Sequence, residues 1–385
     1  MNGHVDYTVE LNAITSGFDG ETCWVHARPG VIPGGGDDGM PAVVVTLQKL
    51  LLSGSDIFYG LHDFRTDDMG ATWDGPESYP GLGRRQEPDE IESVICDFTP
   101  SWHAATGRLL GIGHVARYLG DHLAPDPRRR ETAYSVYDDI RRMWSSWETV
   151  EMPDSERFFC SGAGCVQRVD LEDGTLLVPI YFRDPKSQDP SCSISTVMRC
   201  SFDGTLLKYL EHGAELSVPE PRGLGEPSLA RFQDRYFLTL RNDVRGYVSD
   251  GPDGLNFGPP VPWRFDDGEE LGNYNTQQHW VTHSDGLFLV YTRRGADNDH
   301  VFRHRAPLFM AQVDPEHLCV IRETERAIVP ERGARLGNFG VANVTPYETW
   351  VVAAEWMQPV GCEKYGSDNT VWVARIHWET PNEMV

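Results

Sequence analysis

A unit of roughly 50 to 70 residues recurs along the 385-residue chain, and a repeat of that period indicates stacked or radially arranged structural units. Each unit opens with an aromatic or small-residue segment, continues into a strongly apolar segment, and then shows further strand-like segments around a Gly/Asp turn. The openings lie at residues 23–26, 94–97, 160–166, 225–228, 275–281 and 337–340. The apolar second segments lie at residues 42–47, 109–113, 175–182, 236–240, 287–291 and 350–355. Because no segment shows a sustained 3.6-residue period, the units predict strands rather than helices.

These units predict an all-β chain that forms one six-bladed β-propeller domain over residues 1–385. Each opening is expected to be the innermost strand of a four-stranded blade. A strand at residues 6–11 is predicted to complete the last blade, since closing the ring removes an exposed sheet edge. The unit boundaries are also compatible with seven blades.

The formal net charge of −24 excludes several classes of partner. Nucleic acids and anionic membranes both require a basic face, so neither is expected to bind this chain. If the ligand is itself anionic, the acidic protein must contain a local cationic pocket. Individual arginines therefore become the residues to follow along the sequence.

Targeting and cysteine signals are weak. Residues 1–14 lack the charged and apolar regions of a signal peptide, so we expect a cytoplasmic protein unless a leader was removed. Apolar runs such as residues 42–47 are too short to span a bilayer. The eight cysteines show no metal-ligand spacing, and we expect no metal, cofactor or disulfide.

One turn is more specific than the others. Residues 66–73 read Thr-Asp-Asp-Met-Gly-Ala-Thr-Trp, in which the second Asp can accept turn N–H groups and the Gly permits a positive φ. This pattern resembles the Asp box of sialidase-like propellers, and degenerate copies occur at residues 135–147, 201–204 and 249–257. The resemblance implies a structural turn on the outer rim, between the third and fourth strands of a blade.

The inner strands of a propeller direct residues toward the central axis, where a ligand meets several blades. The candidates on the predicted inner and second strands are Arg28, Lys49, Asp97, His114, Tyr181, Glu226, Arg241 and Arg293. Three of them are arginines, which pair bidentately with carboxylates and remain charged. We therefore predict that Arg28, Arg241 and Arg293 form a carboxylate clamp.

The ordered set resembles the sialidases along nearly the whole chain. The segment at residues 26–29 is similar to the region that supplies their first arginine, and Asp56 falls where the family keeps its acid/base aspartate. Glu226 and Arg241 resemble the activating glutamate and the second arginine. Arg293 matches the third arginine, for which Arg294, Arg303 and Arg305 are alternatives.

The chain departs from the family at the nucleophile. Sialidases use a tyrosine in the last blade, whereas the corresponding stretch at residues 337–340 contains Phe339, which has no hydroxyl. Lys49 stands near the place where the family often has a further arginine. Direct attack by water is then the plausible hydrolytic route.

A second resemblance leads to different chemistry. Propeller-fold polysaccharide lyases such as ulvan lyases use a His and a Tyr with a charge-neutralising residue, and His114, Tyr181 and Arg199 follow a similar order. β-Elimination beside a uronate needs a base, an acid for the leaving oxygen and neutralisation of the carboxylate. These three residues supply the required types.

The sequence contains two His-x-x-x-His pairs, His279/His283 and His300/His304, whose spacing brings both imidazoles to one face only on a helix. On a strand, residues four apart are separated by ~13 Å, so the spacing does not predict a metal site in this context. His279 is instead predicted to contact the substrate from the inner strand of the fifth unit.

These observations favour an enzyme that processes an acidic oligosaccharide or glycoside. The first hypothesis is a sialidase-like glycoside hydrolase with Asp56 as general acid/base and Glu226 as base or activator. The alternatives are a lyase that uses His114 and Tyr181, and a non-catalytic sugar-binding propeller.

Overall fold

The computed structural model describes residues 4–54 and 56–385, which form six antiparallel sheets. The first sheet contains Thr22–Ile32, Ala42–Leu51, Phe58–Thr66 and Asp74–Ser78. The second contains Arg85–Gln86, Ile91–His103, Arg108–Leu119, His122–Leu123, Thr132–Asp138, Met143–Trp144 and Glu148–Thr149. The third contains Cys160–Gly162, Val169–Asp170, Thr175–Arg183, Ile194–Phe202 and Leu207–His212.

The remaining three sheets complete the ring. The fourth contains Gly225–Phe232, Arg235–Arg241, Tyr247–Gly251 and Val261–Pro262. The fifth contains His279–His283, Gly286–Tyr291, Leu308–Asp314, Cys319–Val320 and Arg326–Val329. The sixth contains Phe339–Thr345, Glu348–Ala354, Val371–Trp378 and the N-terminal strand Tyr7–Thr15.

Helical structure is confined to short 3₁₀ turns in the described part of the chain. They are Asp37–Gly39, Pro80–Leu82, Phe302–His304, Arg322–Thr324 and Cys362–Tyr365. Within the same residues, no helix combines the length and the hydropathy that a membrane span requires. The all-β prediction is therefore confirmed.

The blade count differs from the prediction. Five sheets are each built from one continuous stretch of chain, and these five form complete blades, rather than the six or seven expected. The sixth sheet joins both ends of the chain, because Tyr7–Thr15 pairs antiparallel with Val371–Trp378. The N-terminal strand predicted at residues 6–11 therefore lies in the expected place.

The core lies between neighbouring sheets rather than within a single layer. Ile32 and Val44 of the first sheet pack with Ile95 and Phe98 of the second, and equivalent clusters join each later pair of sheets. A last cluster packs Leu47 of the first sheet against the sixth sheet, which closes the ring. Burial of apolar side chains at every junction holds the inner strands at fixed positions around the centre.

The turn at residues 66–73 has the predicted place and local chemistry. Asp68 accepts hydrogen bonds from the Thr72 backbone N–H at 2.9 Å and from the Thr66 hydroxyl at 2.8 Å, and Gly70 has a φ of 84°. Aspartates make similar bonds to backbone N–H groups after the third strands of four other sheets. They are Asp138, Asp203, Asp253 and Asp314. The turn after Asp314 was not recognised in the sequence.

Candidate active site

A β-bulge occurs at the same place on the inner strands of the first, second and fourth sheets. The pairing register shifts there, and His26, Asp97 and Glu226 adopt positive φ angles of 57°, 52° and 43°. Such conformations are costly for residues other than glycine, and bulges redirect side chains. All three side chains line one cavity at the end of the ring axis.

This cavity has a volume of about 850 Å³ and is rich in arginine. Nine arginines line it, against five carboxylates, although the whole protein carries a net charge of −24. The arginines are Arg128, Arg129, Arg130, Arg183, Arg222, Arg241, Arg303, Arg305 and Arg335. The sequence predicted a local cationic pocket if the ligand is anionic, and the cavity has that character.

Asp97 is the most heavily partnered acid of the cavity. Its Oδ1 lies 3.2 Å from His26 Nε2 and accepts a bond from Cys165 Sγ at 2.8 Å, and its Oδ2 lies 3.6 Å from His114 Nε2. Burial lowers the pKa of His26 to about 4 and that of His114 to about 3, so both imidazoles are neutral at neutral pH. Burial opposes ionisation of Asp97, but His26 and His114, which are protonated at the low pH where this carboxyl titrates, and Arg28 hold its pKa well below the usual range.

Arg28, a predicted clamp residue, lies beneath the cavity. Its side chain is fully buried, and Nη2 donates to Gln277 Oε1 at 2.7 Å and to Cys165 Sγ at 3.1 Å. Asp97 Oδ1 is 3.6 Å away. Arg28 therefore ties the first sheet to the second, third and fifth sheets, and the prediction that it binds substrate does not fit its position.

We expect Arg28→Met to destabilise the fold strongly. The substitution keeps much of the side-chain volume but removes the buried cation beside Asp97 and the donor to Gln277 Oε1, a change that typically costs about 3–5 kcal/mol. Urea unfolding of both proteins measures the difference. Lys49→Met is the control, because Lys49 pairs with the half-exposed Asp19 at 3.4 Å and should change stability by no more than about 1 kcal/mol. Equal stability of Arg28→Met and the wild type would contradict the structural role.

A cluster of arginines occupies the side of the cavity nearest the fourth, fifth and sixth sheets. Arg241 forms an ion pair with Glu226, and Arg305 donates to Asn338 Oδ1 at 3.3 Å and to the backbone of Asn275. Burial, together with the neighbouring charges of Arg241 and Arg335, lowers the pKa of Arg305 well below its usual range. We call Arg241, Arg305 and Arg335 the first arginine group.

Arg335 completes this group in an aromatic setting. Its guanidinium carbon lies 4.2 Å from the Trp356 ring centroid, and Nη2 donates to Gln358 Oε1 at 3.1 Å. Burial lowers its pKa to about 10, and the nearby carboxylate of Asp56 opposes that shift. Neither Arg335 nor Arg305 makes an ion pair with a carboxylate of the described residues.

Asp56 stands on the rim of the cavity. It precedes the strand Phe58–Thr66, has a φ of 56°, and its carbonyl accepts a bond from the Tyr118 hydroxyl at 2.9 Å. Tyr118 in turn accepts a bond from the Phe58 N–H at 3.0 Å. This pair of bonds fixes the backbone that presents the Asp56 carboxylate.

Tyr181 and His114 meet on the opposite side of the cavity. Their rings pack edge to face with centroids 6.3 Å apart, and the Arg130 guanidinium lies 5.0 Å from the Tyr181 ring centroid. Arg199, predicted with them, does not reach the cavity, because it pairs with Asp173 and lies near Glu211 on the outer strands of the third sheet. Arg130, and not Arg199, is the arginine that lies beside Tyr181 in the cavity.

Three further residues that were predicted to bind substrate lie outside the cavity lining. They are Arg293, Lys49 and His279. Arg293 is held by Glu325 at 2.7 Å and packs on Phe309, so the predicted third member of the clamp faces away from the site. Arg305, one of its sequence alternatives, lines the cavity instead. Lys49 lies over the ring of Trp24 and pairs with Asp19, and it does not line the cavity.

His279 is likewise excluded from the cavity lining. It is fully buried, and its Nδ1 shares a 2.7 Å hydrogen bond with the Ser228 hydroxyl. Burial lowers its pKa well below the usual value. It therefore packs as a neutral core histidine.

Phe339 is buried and packs against His279 with ring centroids 5.2 Å apart. The cavity is reached from this strand only by the preceding residue, Asn338. Tyr181 is the single tyrosine among the described residues that line the cavity.

The donor set closest to a metal site is Cys96, Asp97 and His114, whose ligand atoms lie within 4.8 Å of one another. Burial and the neighbouring Asp97 raise the pKa of Cys96 well above its usual value, so this thiol does not ionise readily. Asp97 is also engaged by His26 and Cys165.

The closed ring of antiparallel sheets, with a polar cavity at the end of its axis, defines a sialidase-like propeller fold, and comparison with solved structures shows the same. The Trypanosoma rangeli sialidase in complex with the inhibitor DANA aligns with 91% of this chain and 55% of its own, with a TM-score of 0.57 and 12% identity. The Hadza microbial sialidase Hz136 aligns with 91% of this chain and 65% of its own, at a TM-score of 0.58 and 12% identity. NanB sialidase from Streptococcus pneumoniae aligns with 94% of this chain and 70% of its own, at a TM-score of 0.61 and 10% identity.

The chain spans only 55% of the Trypanosoma rangeli sialidase and 65% of the Hadza enzyme, so it matches part of those proteins. No protein-family profile matches the sequence, and no curated protein matches it. At 10–13% identity, the likeness is one of fold.

Proposed function

We propose that this protein is a carbohydrate-active enzyme, a sialidase-like glycoside hydrolase that acts on a carboxylated sugar. The observation that carries the proposal is the first arginine group, which faces a cavity that also contains Glu226 and Asp56. In this proposal the sixth sheet acts as a sixth blade, since it brings Asn338 to the same cavity.

The first arginine group supplies the binding of the sugar carboxylate. Arg305 and Arg335 are both about 95% buried and have no ion-pair partner among the described carboxylates. A buried guanidinium without a counterion is costly, and a substrate carboxylate offers bidentate compensation. The inhibitor-bound Trypanosoma rangeli sialidase supports a sugar-like ligand for this fold.

The two carboxylates supply proton transfer. Asp56 on the rim protonates the leaving glycosidic oxygen, and Glu226 accepts a proton from the attacking water. Arg241 orients Glu226 through their ion pair. Because Phe339 provides no nucleophilic hydroxyl, water attacks the anomeric carbon directly.

A second candidate activity is β-elimination, which the contact between His114 and Tyr181 favours. Neutral His114 would take the proton from the carbon next to the uronate carboxylate, and Tyr181 would give its proton to the leaving oxygen as the carbon–oxygen bond breaks. Arg130 beside Tyr181 supplies positive charge for the developing anion. The base and the acid come from neighbouring sheets.

An NMR time course on sialosides, uronides and rhamnosyl-glucuronides tests the proposal. We expect a free reducing sugar to appear, which identifies hydrolysis. A new unsaturated signal would instead identify a lyase. Binding without product would indicate a non-catalytic sugar-binding propeller and would contradict both hydrolysis and elimination.

A further inference from the structure

Five of the nine cavity arginines make no ion pair with a described carboxylate. Arg128, Arg129, Arg222 and Arg241 are each paired with an acid. The unpaired ones are Arg130, Arg183, Arg303, Arg305 and Arg335. The neutral histidines add no positive charge. A single substrate carboxylate would balance only part of this charge.

The unpaired arginines lie on two opposite sides of the ring. Arg303, Arg305 and Arg335 come from loops around the junction of the fifth and sixth sheets, whereas Arg130 and Arg183 lie at the junction of the second and third sheets. In a ring of six sheets these junctions face each other. We call Arg130 and Arg183 the second arginine group.

Backbone pairing fixes the second arginine group. Cys160 pairs with Arg183 in the third sheet and forms a parallel bridge with Arg130 on its other side. The three side chains are therefore neighbours, and all three line the cavity. Two guanidiniums on either side of Cys160 repel each other, and an anion bound between them would offset that repulsion.

The unpaired polar atoms of this group support an anion site. Arg183 Nε is buried and has no hydrogen-bond partner, although a buried donor without a partner is costly. Arg130 follows two arginines that are satisfied by Asp126 and Glu131, yet it turns to the Tyr181 ring inside the cavity. Both guanidiniums therefore have capacity to bind a ligand.

We propose that the cavity has a second anion subsite, formed by Arg130 and Arg183, and that the substrate is a saccharide with two anionic groups. The inference rests on the proposed function, because the first arginine group takes the sugar carboxylate. The second group takes a further oxyanion, such as a sulfate or phosphate ester. Tyr181 lies beside Arg130 of the second group, and Glu226 pairs with Arg241 of the first group.

Binding of three matched sugars to the full chain tests this inference without a need for turnover. Calorimetry compares D-glucuronate, glucose 1-phosphate and glucuronate 1-phosphate, which carry the carboxylate alone, the ester alone, and both. We expect glucuronate 1-phosphate to bind at least about tenfold more tightly than glucuronate, since charge-assisted hydrogen bonds are strong.

Arg183→Gln should remove that advantage and leave the affinity for glucuronate unchanged. Competition by inorganic sulfate and by inorganic phosphate then shows which oxyanion the subsite prefers.

The controls separate this inference from the proposed function. Arg199→Gln removes a charge from the same sheet outside the cavity and should leave all three affinities unchanged. Arg305→Gln should weaken glucuronate, which tests the carboxylate site alone. The second subsite is overturned if glucuronate 1-phosphate binds no more tightly than glucuronate, or if Arg183→Gln weakens both sugars equally. Glucuronate 1-phosphate binding that depends on Arg183 but not on Arg305 would support the subsite and contradict the carboxylate clamp.

Discussion

Glu226→Gln should reduce turnover of a carboxylated glycoside by about 10²–10⁴-fold while the protein remains folded. The amide cannot accept the proton that hydrolysis must remove from water. Glu226 Oε1 is held by Arg241, and the buried Oε2 has no protein partner, so this second oxygen is the candidate acceptor. Initial rates and thermal unfolding of the purified variant measure the two effects separately.

A matched pair outside the cavity provides the control. Glu325 binds Arg293 in the fifth sheet much as Glu226 binds Arg241 in the site, and it lines no part of the cavity. Glu325→Gln should therefore change turnover little, even if it lowers the unfolding temperature. Equal loss of activity in both variants, in proportion to lost stability, would contradict a catalytic role for Glu226.

The sequence predicted the parts of the site that lie on strands. Glu226 and Arg241 were identified correctly as cavity residues because they belong to adjacent inner and second strands, whose pairing follows from the repeat. Asp97 and Tyr181 were placed by the same reasoning. A regular period of two fixes which side chains share a face once the strands are known.

The sequence did not reveal how a bulge or a loop redirects other side chains, although Asp97 and Glu226 also stand at bulges. The bulge between Val25 and Arg28 turns His26 into the cavity and sends Arg28 beneath it, and no local pattern reveals where such a register shift occurs. Arg130 and Arg335 lie outside regular strands, where long side chains can reach several places. The run of three arginines at residues 128–130 is the local signal that could have pointed to Arg130.

The third clamp arginine shows a related difficulty. Arg293 lies two residues after the end of the strand Gly286–Tyr291, which made it the favoured choice, yet Glu325 from a distant loop pairs with it. Arg305 is held at the cavity by the segment that leads into the sixth sheet. In that segment the Leu336 N–H donates to the Arg305 carbonyl. Such long-range partners depend on tertiary contacts that a single sequence does not reveal.

The turnover rate of Asp56→Asn should distinguish hydrolysis from elimination, because the two mechanisms predict opposite effects of this substitution. If Asp56 is the general acid, the amide cannot protonate the leaving oxygen, and the rate should fall by about 10²–10⁴-fold. His114→Ala should cost less, because His114 has no proton-transfer role in that mechanism. The rates are compared on the substrate that gives product in the NMR panel.

Tyr181→Phe completes the comparison, because it removes one hydroxyl and preserves the ring that packs against His114 and Arg130. Hydrolysis through Asp56 predicts that this variant keeps most of its activity. Elimination predicts the reverse order, with Tyr181→Phe and His114→Ala nearly inactive and Asp56→Asn active, since the leaving oxygen then depends on the phenol. His114 also contacts Asp97, so the His114→Ala result counts only when thermal unfolding shows a folded protein. Full activity in both Asp56→Asn and Tyr181→Phe would contradict both mechanisms and move the chemistry to other residues of the cavity.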